Sequence, residues 1–318
     1  MRFANAIIRN RQAFITISKN ARKYPMKEND YIIVSDATVD LDREILEKLN
    51  CRIIPMIYIL GGEEHFFNPL EKEIDYDDFY GKVNAGVPVS TSQNPPKLFS
   101  DFYEELIKDY KKILYVCFSS GLSGNYGSAV MAARDIMEDN PDVRIEVVDS
   151  LCASLGEGYL LQEVCKKRDE GASFEEVLSF TEVIKRQVCH WFVVGNLDQL
   201  ARGGRINPAV AKLGSILNIH PILTTDAEGK LKVSEKVRGM KKALIRLCER
   251  FKEYAFSGDG LRVMIAHAGC PDLAAELTKL VLATGRVRDC IIQRIGPVIG
   301  AHTGSPMCAL VFMGRQEE

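Results

Sequence analysis

Residues 31–60 read YIIVSDATVDLDREILEKLNCRIIPMIYIL, and this stretch decides the fold. YIIVSDAT (31–38) is a short apolar run closed by turn-forming residues, the pattern of a buried strand. LDREILEKLN (41–50) carries helical spacing, and CRIIPMIYIL (51–60) is a second apolar run, predicted as one strand. Strand, helix and strand in succession form a β-α-β unit, so the two strands should lie parallel with a right-handed crossover.

Reading outward, the alternation continues. A polar loop is expected over 61–76, helices over 75–86 and 96–110, and a turn-rich link, PVSTSQNPP, between them. KKILYVCFSS (111–120) is a further strand, GLSGNYGSAVMAARDIME (121–138) a Gly/Ser turn opening a helix, and VRIEVVDS (143–150) a strand. Such alternation predicts an open parallel sheet covered on both faces.

The second half has a different rhythm. Helices are expected at 153–170, 174–187, 207–218 and 239–255, with Pro208 in the first turn of the third. HPILTTDAEGKLKVSEKV (220–237) reads as a hairpin around Asp226–Gly229. Strands VCHWFVVGN, LRVMIAHAG, CIIQRIG and CALVFMG complete a mixed α+β unit. The predicted organisation is a basic leader over 1–29, an N-terminal α/β domain over 30–155, and a C-terminal α+β domain over 156–318.

Composition narrows the function. At 318 residues, 46% hydrophobic and 26% charged, the chain can build a large core and an apolar pocket besides. A net charge of −2 and a pI near 6.3 speak against a nucleic-acid partner. The nine cysteines form no CxxC pair and no zinc spacing, and most stand in apolar runs, which fits reduced thiols in the cytoplasm. No apolar run is long enough to cross a membrane. The leader carries seven Lys and Arg residues before its first acidic residue, Glu28, which allows a transient contact with an anionic membrane surface.

Three segments combine small hydroxyl residues with turn character: Thr91-Ser92-Gln93, Ser119-Ser120-Gly121-Leu122-Ser123-Gly124 and Gly300-Ala301-His302-Thr303-Gly304. Each reads as a tight turn between a strand and a helix. In open α/β sheets ligands bind beyond the carboxyl ends of the strands, and free N–H groups at a helix start favour an anion. Taken bare, such a turn is a structural helix cap more often than a ligand site. Ser123 lacks the G-x-S-x-G elbow of hydrolases, and Gly203-Gly204-Arg205 lacks the G-K-[ST] ending of a phosphate loop.

In order along the chain, Ser35-Asp36-Ala37-Thr38, Thr91-Ser92-Gln93, Ser119 to Gly124, Gly203-Gly204-Arg205-Ile206, His267-Ala268 and His302-Thr303-Gly304 resemble the motifs of the DegV family from about residue 31 to the end. This is a bacterial fatty-acid-binding family that includes the binding subunit of fatty acid kinase. The resemblance implies a two-domain body with an acyl chain buried in it, its carboxyl bonded by Thr91, Ser123 and His302 and supported by Ser92, Ser119, Ser120, Gly121, His267 and Thr303. It also implies docking to a kinase subunit, for which Arg205 and Arg238 are the candidates, and no cofactor or metal. This sequence departs from the family pattern at Asn94, which precedes Pro95 where a proline often follows T-S-Q, at Asn125, and at Ser305.

The expected function is therefore to hold a long-chain fatty acid without catalysis and to present its carboxyl to a separate ATP-dependent kinase subunit. Burying a tail of fourteen to eighteen carbons at ~0.8 kcal/mol per CH2 supplies on the order of 10 kcal/mol, less ordering costs. The three head-group segments contain no lysine or arginine, so a site of neutral donors is expected. The alternatives are a serine-dependent acyl hydrolase or transferase using Ser123 and His302, which would need an orienting third group, and a lipid-sensing regulator.

Overall fold

The structure, a computed structural model, describes residues 31–71, 73–212 and 218–317. The leader over 1–29, and any membrane contact it makes, lies outside the described residues.

Strands β1 (Tyr31–Asp36), β2 (Arg52–Ile54), β6 (Lys112–Cys117) and β7 (Arg144–Asp149) form a parallel sheet in the order β2-β1-β6-β7. Every residue of β1 is buried, because alternate side chains enter different cores. Ile32 and Val34 meet helices α3 (Pro96–Leu106) and α4 (Asn125–Asp139), whereas Tyr31 and Ile33 meet α1 (Arg43–Leu49), α5 (Leu155–Asp169) and α6 (Phe174–Ile184).

A second sheet has six strands in the order β10-β9-β8-β13-β11-β12. These are β8 (Val188–Val194), β9 (Ile219–Thr225), β10 (Leu231–Arg238), β11 (Leu261–Ala268), β12 (Val287–Arg294) and β13 (Met307–Met313). The β11–β12 pair is parallel and the rest antiparallel, as the expected mixed unit requires. Helices α9 (Met240–Tyr254) and α10 (Pro271–Leu282) cover one face through Trp191, Val193 and Ile265, while Phe192, Leu223, Ala266 and Val311 turn to the other.

Helix α5 sits between the two sheets and is buried on most sides. Two glycines let it in. A Cβ at Gly156 would stand 1.5 Å from Nε2 of His190, and one at Gly158 2.5 Å from the carbonyl of Val39. One apolar core thus runs from the parallel sheet through α5 to the mixed sheet.

Four expectations need correction. CRIIPMIYIL is not one strand: β2 ends before Pro55, which brings no N–H to a ladder, and β3 (Met56–Leu60) starts a separate three-stranded antiparallel sheet, β4-β3-β5. The polar loop contains β4 (Glu63–Phe67), and the turn-rich link contains β5 (Val89–Ser92). Thr91 is therefore a strand residue. His302 lies not in a turn before a helix but in the last turn of α11 (Pro297–Thr303), which opens with Pro297 in its first turn. The expected helix over 207–218 is described only as α8 (Pro208–Lys212), its remainder lying outside the described residues. Helices α2 (Tyr76–Asn84) and α7 (Asp198–Arg202) complete the α-helices of the described residues. All nine cysteines are free, eight of them buried.

Candidate functional site

Between the parallel sheet, α5 and the mixed sheet lies a cavity of about 1070 Å³ of empty volume, part of it continuous with solvent. Met307, Ala309 and Val311 line it on alternate positions of β13, a span of roughly 14 Å at the strand rise. Phe192 and Ala266, the cross-strand partners of Ala309, widen this apolar wall, and Phe118, Leu122 and Leu155 face it from the other side.

Thr91, Ser123 and His302 all line this cavity. Thr91 Oγ1 and His302 Nε2 are 2.7 Å apart, joining residues 211 positions distant in sequence. His302 Nδ1 is buried without a hydrogen-bond partner, since Gly203 lies against it. A buried, unpartnered lone pair is less costly than a buried, unpartnered N–H. The proton therefore belongs on Nε2, which donates to Thr91 and leaves the threonine hydroxyl free to donate in turn. Burial, assisted by the Arg205 charge, pushes the His302 pKa down to about 4, so the ring is neutral at physiological pH.

Ser123 stands in the loop between β6 and α4. Its Oγ accepts the N–H of Asn125 at 3.2 Å, so its own proton is available to a ligand. Asn94 joins this loop to β5: its N–H donates to Asn125 Oδ1 at 2.9 Å and its side chain to the Pro55 carbonyl at 2.9 Å. The departure from the family pattern at Asn94 thus has a buried place in the fold, bonded through its N–H and its side-chain amide N–H. Ser123 and His302 are not hydrogen-bonded to each other, and no carboxylate bonds the His302 ring among the described residues.

The supporting residues divide. Ser92 and Thr303 line the cavity. Ser119, Ser120, Gly121 and His267 do not. Ser119 Oγ donates to the Gly229 carbonyl at 2.8 Å, and a Cβ at Gly121 would meet the Glu228 carbonyl at 2.5 Å, so both seat the β9–β10 hairpin turn on the loop. Ser120 bonds Asp149. His267 lies buried in β11 between β12 and β13.

The expectation of a site without cations is corrected by Arg205. Its segment is remote in sequence, yet its side chain lines the cavity, with Nε donating to the Leu122 carbonyl at 3.0 Å and Nη1 to that of Gly203. Arg238 is exposed at the end of β10, away from the cavity lining.

Sequence reading missed other polar groups around this cavity. His190 lines it, buried, with its pKa pushed down to about 4 by desolvation. Thr38 and Ser154 also line it, backed by the buried carboxyls of Asp36, Asp40 and Glu157. Asp36 accepts from Tyr115 OH at 2.8 Å, from the N–H of Thr38 and Phe118, and from the Thr38 hydroxyl. Thr38 Oγ1 also lies 2.7 Å from Glu157 Oε2. One threonine proton cannot serve both carboxylates, and burial raises the Glu157 pKa well above normal, so Glu157 carries a proton and donates to Thr38. Asp36 and Thr38 stand in the Ser35-Asp36-Ala37-Thr38 motif, to which sequence reading gave no role, whereas Asp40, Ser154 and Glu157 belong to none of the ordered motifs. Among the described residues no group of side chains could hold a metal ion, and no helix is long and apolar enough to cross a membrane.

The geometry thus defines an α/β body that encloses a largely apolar cavity with a Thr–His pair at its wall. The chain belongs to the DegV family: the pattern of that family, described as an uncharacterised protein family, matches residues 31–315. It is 34% identical over 288 residues to a DegV domain-containing protein of Clostridium perfringens, covering 91% of this chain and 99% of that one. Its fold is similar to that of a Thermus thermophilus DegV-family protein described as binding fatty acid, with a TM-score of 0.81, 32% identity and coverage of 89% and 99%. A Thermotoga maritima protein whose structure revealed fatty acid binding is similar at a TM-score of 0.77, 30% identity and coverage of 89% and 99%.

Proposed function

We propose that this protein binds one long-chain fatty acid in the cavity, with its carboxyl at Thr91, Ser123 and His302, and does no chemistry on it. The observation that carries this reading is an apolar cavity on which the Thr91–His302 pair and Ser123 converge. Thr91 and Ser123 each accept a hydrogen bond from within the protein, and so are polarised to donate to a carboxylate. The neutral His302 brings no competing ion pair, and Arg205 supplies the positive charge that offsets burial of an anion. The Ser–His hydrolase alternative has no such support, because the His302 bond goes to threonine.

The bound carboxyl would be handed to a separate kinase subunit, a step that rests on the family resemblance. A carboxylate oxygen attacks the γ-phosphorus of ATP held by that subunit, the bond to ADP breaks, and acyl phosphate is returned. Arg238, exposed and clear of the cavity, suits docking better than Arg205 does.

Native mass spectrometry of the protein purified from a bacterial host tests the binding reading. A co-purified fatty acid is expected, and its amount should fall several-fold in Thr91→Val and Ser123→Ala. Lipid content unchanged in both variants would refute the head-group assignment.

A further inference from the structure

The helix that delivers His302 is pinned at its start by a residue outside the head-group site. Gly296, the residue before α11, donates its N–H to Asp40 Oδ1 at 2.8 Å. The other oxygen of the same carboxyl accepts the Ser154 hydroxyl at 2.5 Å, and Ser154 lines the cavity. A Cβ at Gly296 would stand 2.8 Å from Asp40 Oδ1, so the approach has no slack. Tyr80 assists by donating to the Ile295 carbonyl at 2.8 Å.

Asp40 is held for this contact. It closes the short 3-10 turn Ala37–Val39 in the left-handed region, at φ 50°, where aspartate is among the tolerated non-glycine residues. It is 6% exposed. From Gly296 to His302 the helix rises roughly 9 Å, so a tilt at the start moves the imidazole directly.

We propose that Asp40 is a positioning residue for fatty-acid binding: its carboxyl, by holding Gly296 and Ser154 together, sets α11 and therefore His302 against the cavity. This inference rests on the fatty-acid reading of the cavity. Asp40 also makes the hold pH-sensitive. Desolvation and the nearby Asp36 raise its pKa to about 7. The ionisable groups around it are Asp36 and Glu157 from β1 and α5, Tyr76 and Tyr80 from α2, and Asp42 on its own loop, with Arg294 over the Tyr76 ring. No cation bonds Asp40 among the described residues; its partners are Ser154 and Gly296. Above pH 7 the new buried charge repels a fatty carboxylate held near the far end of α11, which lowers affinity at least several-fold.

The test compares wild type, Asp40→Asn and Asp40→Ala by oleate titration between pH 6 and 8.5, with the His302 imidazole followed by nitrogen NMR. Asparagine can still accept from Gly296 and can donate to Ser154, so Asp40→Asn should bind as wild type at pH 6 and lack the several-fold decline toward pH 8.5. Asp40→Ala should bind on the order of ten-fold more weakly, as loss of two hydrogen bonds implies, and should shift the His302 resonance. A folded Asp40→Ala with unchanged affinity and resonance overturns the proposal. So does an Asp40→Asn profile identical to wild type, which decides the matter if the alanine variant does not fold. If the wild type binds no oleate, the fatty-acid reading has failed, and the His302 resonance alone then decides whether Asp40 positions α11.

Discussion

Gly203 lies against the imidazole of His302, so close that a Cβ there would stand 2.3 Å from Nδ1. Gly203 belongs to the Gly-Gly-Arg segment, and its carbonyl accepts from the Arg205 guanidinium. One turn thus seats the ring of His302 and places a cation beside it.

Gly203→Ala should therefore displace His302 and break its bond to Thr91. The backbone at Gly203 is in an ordinary helical region, so the effect is steric and local. Oleate affinity should fall about ten-fold, as the loss of one or two head-group bonds implies, while the melting temperature changes little. Wild-type affinity would mean that the ring position is not critical.

That relationship also shows where sequence reading stops. β1 and β6 were legible because each is an apolar run buried on both faces, and β7 because its apolar residues Ile145, Val147 and Val148 stand in a short β-branched run before turn residues. β4 and β5 were not, because EEHFF and VSTS are half-exposed and polar, and they pair only through β3. Pro55 was a visible break inside CRIIPMIYIL that the apolar run concealed. Thr91, Ser123 and His302 were reachable through the ordered motifs. The bond of His302 to Thr91, the turn of Arg205 into the cavity, and the clamp of Asp40 on Gly296 depend on tertiary approach between segments that carry no local signal.

His190 gives a pH prediction. Its folded pKa, about 4, lies below the unfolded value near 6.5. Between these values the unfolded chain binds a proton that the folded one refuses, so this stability is intact above about pH 6.5 and lost as pH falls toward 4. The loss amounts to about 3 kcal/mol at most. Asp40 titrates in an overlapping window with the opposite sign, its contribution fading as pH rises toward 7. The difference between wild type and His190→Gln isolates the histidine: urea unfolding should show a shallower acid slope in the variant. Parallel slopes would contradict a buried neutral His190.

Arg205 and Arg238 should separate lipid holding from docking. Arg205→Glu removes the bond to the Leu122 carbonyl beside Ser123 and reverses the charge at the cavity, so lipid retention should drop several-fold. Arg238→Glu should retain lipid and slow kinase-dependent acyl phosphate formation. Lipid loss in Arg238→Glu would remove its docking role.

The most direct measurement is a crystal structure of the protein grown with oleate. Continuous density should run along Met307, Ala309 and Val311, with one carboxyl within hydrogen-bond distance of Thr91 Oγ1 and Ser123 Oγ. A cavity that stays empty, or a chain lying with its carboxyl away from His302, would contradict the account.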